Sequence, residues 1–126
     1  VIHGSWPNAF GYRVETENKT IVVAGDLSPC DGLLRYGQDA DILIHEVYCE
    51  RGFRDHPRLT EVLRNYHRSN HTSTYELADI ANILRPKVLI LNHVLWFGCD
   101  AKEILREISE LYKGTVILAE DLDVFQ

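Results

Sequence analysis

Three short, largely apolar segments of this chain are each followed closely by a residue that can bind a metal or transfer a proton. The segments are residues 20–24, 41–44 and 88–91; Asp26 follows the first, His45 and Glu46 follow the second, and His93 follows the third. Apolar runs of this length are typical of strands buried in a parallel sheet. Ligands collect at the carboxyl ends of such strands, so the three strand ends are expected to meet at one edge and form a site there.

The rest of the chain alternates helix and strand patterns. A hairpin is expected from strands at 10–15 and 20–24, which a polar turn separates. Ser73 and Glu76 have the spacing of a capping box, and the apolar helical face that follows ends at Pro86. Further elements are expected as helices at 31–36, near 59–66 in a polar excursion over 50–70, and near 104–111, and as a strand at 115–119. This alternation predicts an α/β domain or half-domain, a sheet layered with helices.

Composition excludes several classes of protein. The 126 residues are 45% hydrophobic, enough for one modest core, and no apolar run approaches the roughly 20 residues that span a bilayer. Because the formal net charge is −6, a nucleic-acid partner would need a local basic patch. Cys30, Cys49 and Cys99 are odd in number and far apart, without a CxxC pair. Neither a disulfide framework nor a structural zinc is therefore expected, and a reducing cytoplasm fits this cysteine usage.

Asp26 and His93 each have an ordinary structural explanation beside the functional one. A strand-end aspartate can cap a turn, and a strand-end histidine can be satisfied by a backbone carbonyl. Carboxylate oxygens can equally bridge two cations, and imidazole is the commonest metal ligand. The occurrence of both residue types at strand ends that share one edge favours the functional interpretation.

His71 lies just ahead of the capped helix start, where it could give a proton to a leaving group. The positive end of the helix would favour a neutral imidazole and would help to hold a phosphate nearby. His45 and Glu46 are adjacent on a strand and so point to opposite faces, which leaves one of them to face the site. In the functional interpretation a carboxylate orients an imidazole; in the structural one Glu46 pairs with an arginine of residues 51–58.

The other histidines and the aromatic turn carry weaker signals. His56 and His67 lie in the polar excursion and are expected at the surface, and His3 has no assigned role. The turn from Trp96 to Gly98 could line a substrate pocket or simply pack against the loop. No phosphate loop, dinucleotide fingerprint, GxSxG or HExxH motif occurs, so no cofactor-binding residues are assigned.

Four short motifs occur in order along the chain: Gly25-Asp26, His45-Glu46, His71-Thr72-Ser73 and Asn92-His93. In this order they resemble the second half of a metallo-β-lactamase-fold hydrolase, and in particular its ribonuclease Z branch. The resemblance implies an αββα sandwich that holds two divalent metal ions, zinc first, with iron or manganese as alternatives. It implies that Asp26 is the bridging carboxylate and His93 a terminal ligand. It also implies that His71 assists the leaving group, supported by His45 and Glu46.

The implied activity is hydrolysis of a phosphodiester or related ester, RNA included, in which two cations activate a bridging hydroxide. The family's His-x-His-x-Asp-His motif and a further histidine ligand belong to its first half, and this chain has neither. Residues 1–126 are therefore expected to be the second half of one domain, inactive without a first half in the same polypeptide or on a companion chain. The alternative is a non-catalytic half-fold module, covered by a partner or by a second copy of itself.

Overall fold

The computed structural model describes residues 1–125, and its centre is a mixed five-stranded sheet. The strands lie in chain order: β1 (Tyr12–Glu15), β2 (Thr20–Val23), β3 (Ile42–Tyr48), β4 (Val88–Leu95) and β5 (Thr115–Leu118). β1 pairs antiparallel with β2, as the predicted hairpin requires, and the other neighbours pair in parallel. The carboxyl ends of β2, β3 and β4 therefore lie along one edge of the sheet.

Five helices connect these strands: α1 (Asp31–Tyr36), α2 (Glu50–Asp55), α3 (Glu61–Asn70), α4 (Thr74–Leu84) and α5 (Ala101–Leu111). The predicted capping box is present at the start of α4, where Ser73 and Glu76 each bond the other's backbone N–H. An equivalent box of Asp100 and Glu103 begins α5. The polar excursion contains two helices, α2 and α3, where the sequence predicted one.

The hydrophobic core lies on one face of the sheet. Alternate residues of β2, β3 and β4, such as Val22, Leu43 and Leu89, pack in one buried cluster with side chains of α1, α4 and α5. The opposite face of the sheet carries apolar side chains that remain partly exposed in the described chain; they are Ile21, Val23, Ile42, Ile44, Val88 and Ile117. Since parallel strands are usually covered on both faces, this second face is unusual.

Two strands run further than the sequence predicted. β3 continues through His45 and Glu46 to Tyr48, and β4 continues through His93 to Leu95. The polar residues were expected at the strand ends, but in the structure two further strand residues follow Glu46 and two follow His93. Pairing between neighbouring strands can hold polar residues in extended backbone that their own sequence does not favour.

The structure contains one disulfide, which the cysteine pattern did not lead us to expect. Cys49 and Cys99 are joined by a disulfide, with their Cα atoms 6.4 Å apart although 50 positions separate them in sequence. Cys49 begins α2 and Cys99 follows β4, and both lie where the two parallel strands end. The cysteines therefore no longer argue for a reducing compartment. Among the helices of residues 1–125, none is both long and apolar enough to cross a membrane.

Candidate metal and proton-transfer site

Asp26, Glu46, His71 and His93 come together at the carboxyl edge of the parallel strands, and we call these four residues the edge cluster. Asp26 lies in the loop after β2, Glu46 lies near the end of β3 and His93 lies near the end of β4. His71 follows α3 directly, and its ring centroid is 5.9 Å from that of His93. The expected meeting of the strand ends is therefore found in the structure.

Asp26 and His93 form the open side of the edge cluster. Oδ2 of Asp26 lies 3.4 Å from Nε2 of His93, and the side chains are 44% and 52% exposed. Two ligand atoms about 2.1 Å from a tetrahedral zinc ion are about 3.4 Å apart, so this pair has the separation of two ligands on one metal. In residues 1–125, no group of three or more His, Cys, Asp or Glu side chains has an arrangement that could hold a metal. The pair therefore fits part of a metal site and does not complete one.

A β-bulge determines where His93 points. Glu46 pairs with Asn92 and Val47 pairs with Val94, so His93 is the extra residue between two ladder pairs. Its φ is +40°, in the left-handed region that costs most residues about 1 kcal/mol or more. Bulges often turn a side chain towards a functional site. Here the bulge directs the His93 imidazole to the loop that carries Asp26.

Glu46 and His71 form the buried side of the edge cluster. Oε1 of Glu46 accepts a 2.9 Å hydrogen bond from the Thr72 N–H and lies 3.4 Å from Nδ1 of His71. Burial raises the pKa of Glu46, and the neighbouring His71 imidazole offsets part of this rise. The contact of 3.4 Å is within ion-pair range but lacks the geometry of a formed hydrogen bond.

The segment that carries His71 is held at both of its sides. The Thr72 hydroxyl donates to the backbone carbonyl of Leu27, next to Asp26, and the Thr72 carbonyl accepts from the Tyr48 N–H in β3. These contacts join the loop after β2, the end of β3 and the start of α4. His71 is therefore placed by the backbone around it rather than by its own side-chain contacts.

His45 lies apart from the edge cluster. It pairs in register with Leu91 and faces the helix-covered core, where it is fully buried, while Glu46 faces the cluster. Its Nδ1 donates a 2.6 Å hydrogen bond to the Glu46 carbonyl, since a carbonyl can only accept. Burial lowers the pKa of His45 to about 4, so the ring is neutral at pH 7. Of the two adjacent residues, Glu46 is thus the one that can act on His71.

Two histidines without an assigned role in the sequence lie next to His71. The ring centroids of His3 and His67 lie 5.3 Å and 5.8 Å from that of His71. His67, expected at the surface, is half-buried: its ring packs among aromatic side chains, and burial lowers its pKa. The spacing of four residues from His67 to His71 is a signal that could have found this contact. Nothing local to His3 predicted its place.

The two aromatic residues of the turn after β4, Trp96 and Phe97, differ in their surroundings. Phe97 packs with Tyr48, Phe53 and His67, with ring centroids 5.1 to 6.0 Å apart. Loop packing therefore accounts for Phe97. Trp96 remains 42% exposed. His56, expected at the surface, is half-buried against Phe97.

Comparison with solved structures defines the class of fold. The whole chain superposes on 48% of the metallo-beta-lactamase fold protein YhfI from Bacillus subtilis, with a TM-score of 0.75 and 19% identity. The chain therefore has part of the metallo-β-lactamase fold, as its motifs predicted. No family model matches the sequence.

In sequence the chain resembles ribonuclease Z. It is 30% identical over 107 residues to ribonuclease Z of Gemmatimonas aurantiaca, a match that covers 84% of this chain and 31% of that protein. It is 33% identical over 93 residues to a zinc phosphodiesterase ELAC protein 2 homolog of Caenorhabditis elegans, over 74% of this chain and 10% of that protein. The expected resemblance is confirmed. The chain spans about a third or less of the length of these curated relatives.

Proposed function

We propose that residues 1–126 are the second half of a metal-dependent hydrolase domain that cleaves a phosphodiester, with RNA as the favoured substrate class. The observation that carries this proposal is the edge cluster, in which a pair with metal-ligand spacing, Asp26 and His93, lies beside a carboxylate–imidazole pair, Glu46 and His71. The resemblance to proteins named ribonuclease Z and zinc phosphodiesterase supports the substrate class.

Asp26 and His93 would be ligands in a centre of two divalent metal ions. Zinc is the favoured metal, and iron and manganese are the alternatives. Such ions polarise a phosphoryl oxygen and lower the pKa of bound water. His3 is a further candidate ligand. Its Nδ1 donates to the Asn70 carbonyl at 2.7 Å, which leaves the lone pair of Nε2 free for a cation.

His71 would act as the general acid. Its Nδ1 faces Glu46, so Nε2 is the nitrogen left to deliver a proton to the departing oxygen. Glu46 would orient the ring and stabilise its protonated form, as carboxylates do for functional imidazoles. His45 would contribute only indirectly, through its hydrogen bond to the Glu46 carbonyl.

The uncovered face of the sheet is a second observation in favour of a missing first half of the domain. Partly exposed apolar residues of β2, β3 and β4, among them Val23, Ile44 and Val88, form a surface of the kind that parallel sheets bury. A first half of the domain, on the same polypeptide or on a companion chain, would cover this face and supply the remaining metal ligands. A cytoplasmic location stays a prediction, which cell fractionation tests.

A non-catalytic binding module remains the second candidate. It is favoured by the lack of a three-ligand metal group among residues 1–125. In that case the same sheet face would be covered by a partner chain or by a second copy. Elemental mass spectrometry of the complete native protein separates the two, because the enzyme predicts close to two metal ions per chain and the module predicts none.

The role of His71 is tested by His71→Ala in the complete protein, with turnover and metal content measured on the same preparation. General acid catalysis contributes about 10²- to 10⁴-fold, so turnover should fall by that order while metal content is unchanged. His56→Ala is the matched control, because His56 lies outside the edge cluster. Unchanged turnover of His71→Ala would return His71 to a structural role.

A further inference from the structure

A hollow of about 440 Å³ lies beside the edge cluster, lined by Ser28, two residues after Asp26, and by Asn70, which directly precedes His71. It opens between the first residues of the chain, the loop after β2 and the last turns of α3. Trp6 and Tyr66 both line it and remain 66% and 49% exposed. Its size is within the roughly 300–1,000 Å³ of small-molecule sites.

The lining of this hollow is uncharged. It contains two aromatic rings, the hydroxyls of Ser5, Ser28 and Ser69, and no Asp, Glu, Lys, Arg or His side chain. The chain as a whole has a net charge of −6, whereas this hollow combines aromatic walls with neutral hydrogen-bonding groups. Such a lining matches a ligand part that is planar, uncharged and polar at its edges.

The hollow is close to the proposed general acid. Trp6 lies next to His3, with ring centroids 6.4 Å apart, and His3 contacts His71 at 5.3 Å. Tyr66 lies 5.3 Å from His67, which in turn contacts His71. Each aromatic residue of the hollow is therefore separated from His71 by a single histidine ring.

The backbone around the hollow is held in place without a ligand. The Gly4 N–H donates to the Ser69 carbonyl at 2.8 Å, and a bridge joins Ile2 to Ser28. Gly4 has a φ of +53°, and a Cβ there would meet the Asn70 amide at 2.3 Å. Only glycine allows this close approach, so the segment that carries Trp6 is fixed against α3.

We propose that this hollow is a nucleobase subsite, which takes the base of the nucleotide next to the cleaved phosphodiester. The inference rests on the proposed function and names its substrate more closely, as single-stranded RNA. Proteins that read single-stranded RNA stack unpaired bases on aromatic side chains and bond the base edges with polar groups. Trp6 and Tyr66 supply the stacking surfaces. The Ser5 hydroxyl can donate to a base edge or accept from it, and the Ser28 hydroxyl, which donates to the Ile2 carbonyl, can accept. The Ser69 hydroxyl already bonds the Tyr66 carbonyl and the Asn70 amide.

The test compares binding of two fluorescein-labelled single-stranded RNAs to the complete protein by fluorescence anisotropy. One RNA is intact. The other is taken in turn from a series of the same sequence, in which each member lacks the base of one nucleotide at a different position. Wild-type protein should bind the intact RNA more tightly than the RNA that is abasic at one position. Trp6→Ala should weaken binding of the intact RNA by about 5- to 150-fold, the range of one base–aromatic stack, and should no longer distinguish the two RNAs.

Three further variants control this comparison. Trp6→Phe keeps a stacking ring and should retain most of the preference for the intact RNA. Tyr66→Ala removes the other aromatic ring of the hollow and should also reduce the preference for the intact RNA over the abasic RNA. Tyr12→Ala removes an equally exposed aromatic ring from β1, away from the hollow, and should change nothing.

Cleavage of the same RNAs is measured separately on gels, so failure of the inference and failure of the proposed function are distinguished. Cleavage without any abasic penalty, or an equal abasic penalty in wild type and Trp6→Ala, overturns the subsite and leaves the hydrolase. Base-dependent binding that requires Trp6, without cleavage, supports the subsite and removes the hydrolase. Absence of RNA binding overturns the subsite.

Discussion

Replacement of Glu46 by glutamine should lower activity and raise stability in the same protein. Glu46 is buried, and its carboxylate lies 3.4 Å from Nδ1 of His71. Glutamine keeps the shape of the side chain and an oxygen for the Thr72 N–H, but it removes the negative charge. The protonated form of His71 then loses its neighbouring counter-charge.

The distance between Glu46 and His71 sets an upper bound on the loss of activity in Glu46→Gln. Two unit charges 3.4 Å apart interact by about 5 kcal/mol at an effective dielectric constant of 20, which is an upper bound because both groups also lose hydration. Removal of carboxylates that orient functional histidines typically costs about 10- to 100-fold. We therefore expect turnover of Glu46→Gln to fall by about 10- to 100-fold.

The stability change has the opposite sign. Burial raises the pKa of Glu46, so the folded protein carries at neutral pH a charge that the unfolded chain holds more easily. The glutamine variant should therefore unfold at a higher urea concentration at pH 7. This advantage should disappear as the pH falls through the folded-state pKa of Glu46, because the wild-type carboxyl is then neutral as well.

Steady-state kinetics and urea unfolding of the same preparation measure both effects, and the exposed Glu61→Gln serves as control. A variant with normal turnover would refute the assignment of Glu46 to His71. A variant that loses activity and stability together would show that Glu46 acts only as a structural hydrogen-bond partner.

Three further predictions concern residues around the site. Burial lowers the pKa of His45 to about 4, whereas its ordinary value is 6.5. As the pH falls below 6.5, His45 is therefore protonated in the unfolded chain while it stays neutral in the folded chain. Wild type should therefore lose about 3 kcal/mol of unfolding free energy between pH 7 and pH 4 relative to His45→Gln, as measured by urea titrations. Reduction of the Cys49–Cys99 disulfide, which closes a loop of 50 positions, should cost about 4 kcal/mol, and Cys30→Ser should behave as wild type. His93→Gly should raise the thermal midpoint, since glycine relieves about 1 kcal/mol at a φ of +40°, while metal affinity falls; a lower midpoint would show that no strain is stored there.

Local patterns in the sequence were sufficient for most of the secondary structure. The helix α4 begins at the predicted capping box and ends before Pro86, and α1 has the predicted bounds. These features depend on residues within one or two turns of each other, so they can be read without knowledge of the fold. The meeting of Asp26 and His93 at one edge, with one residue of the His45–Glu46 pair, also followed from the sequence, because parallel strands share the direction of their ends. That the pair contributes Glu46 and sends His45 to the core did not.

Contacts between distant segments were beyond local patterns. The disulfide joins Cys49 to Cys99, and the place of His3 beside His71 depends on pairing of the first residues with the loop after β2 and with α3. Neither the spacing of the cysteines nor the neighbours of His3 carry a signal for these contacts. Only the packing of the segments decides them.

The sequence by itself determined that this chain forms an α/β sheet of mainly parallel strands, with residue types that can bind a metal or transfer a proton at the strand ends. Tertiary structure decided which of those residues lie together. The bulge in β4 turns His93 towards Asp26, and the alternation of β3 sends Glu46 to the edge cluster and His45 to the core. The physical reason is that strand residues alternate faces with a period of two. An extra, unpaired residue in one strand of a ladder therefore changes the direction of the side chains after it. Whether such a residue is present depends on how the neighbouring strand pairs, and the sequence of one strand does not show this.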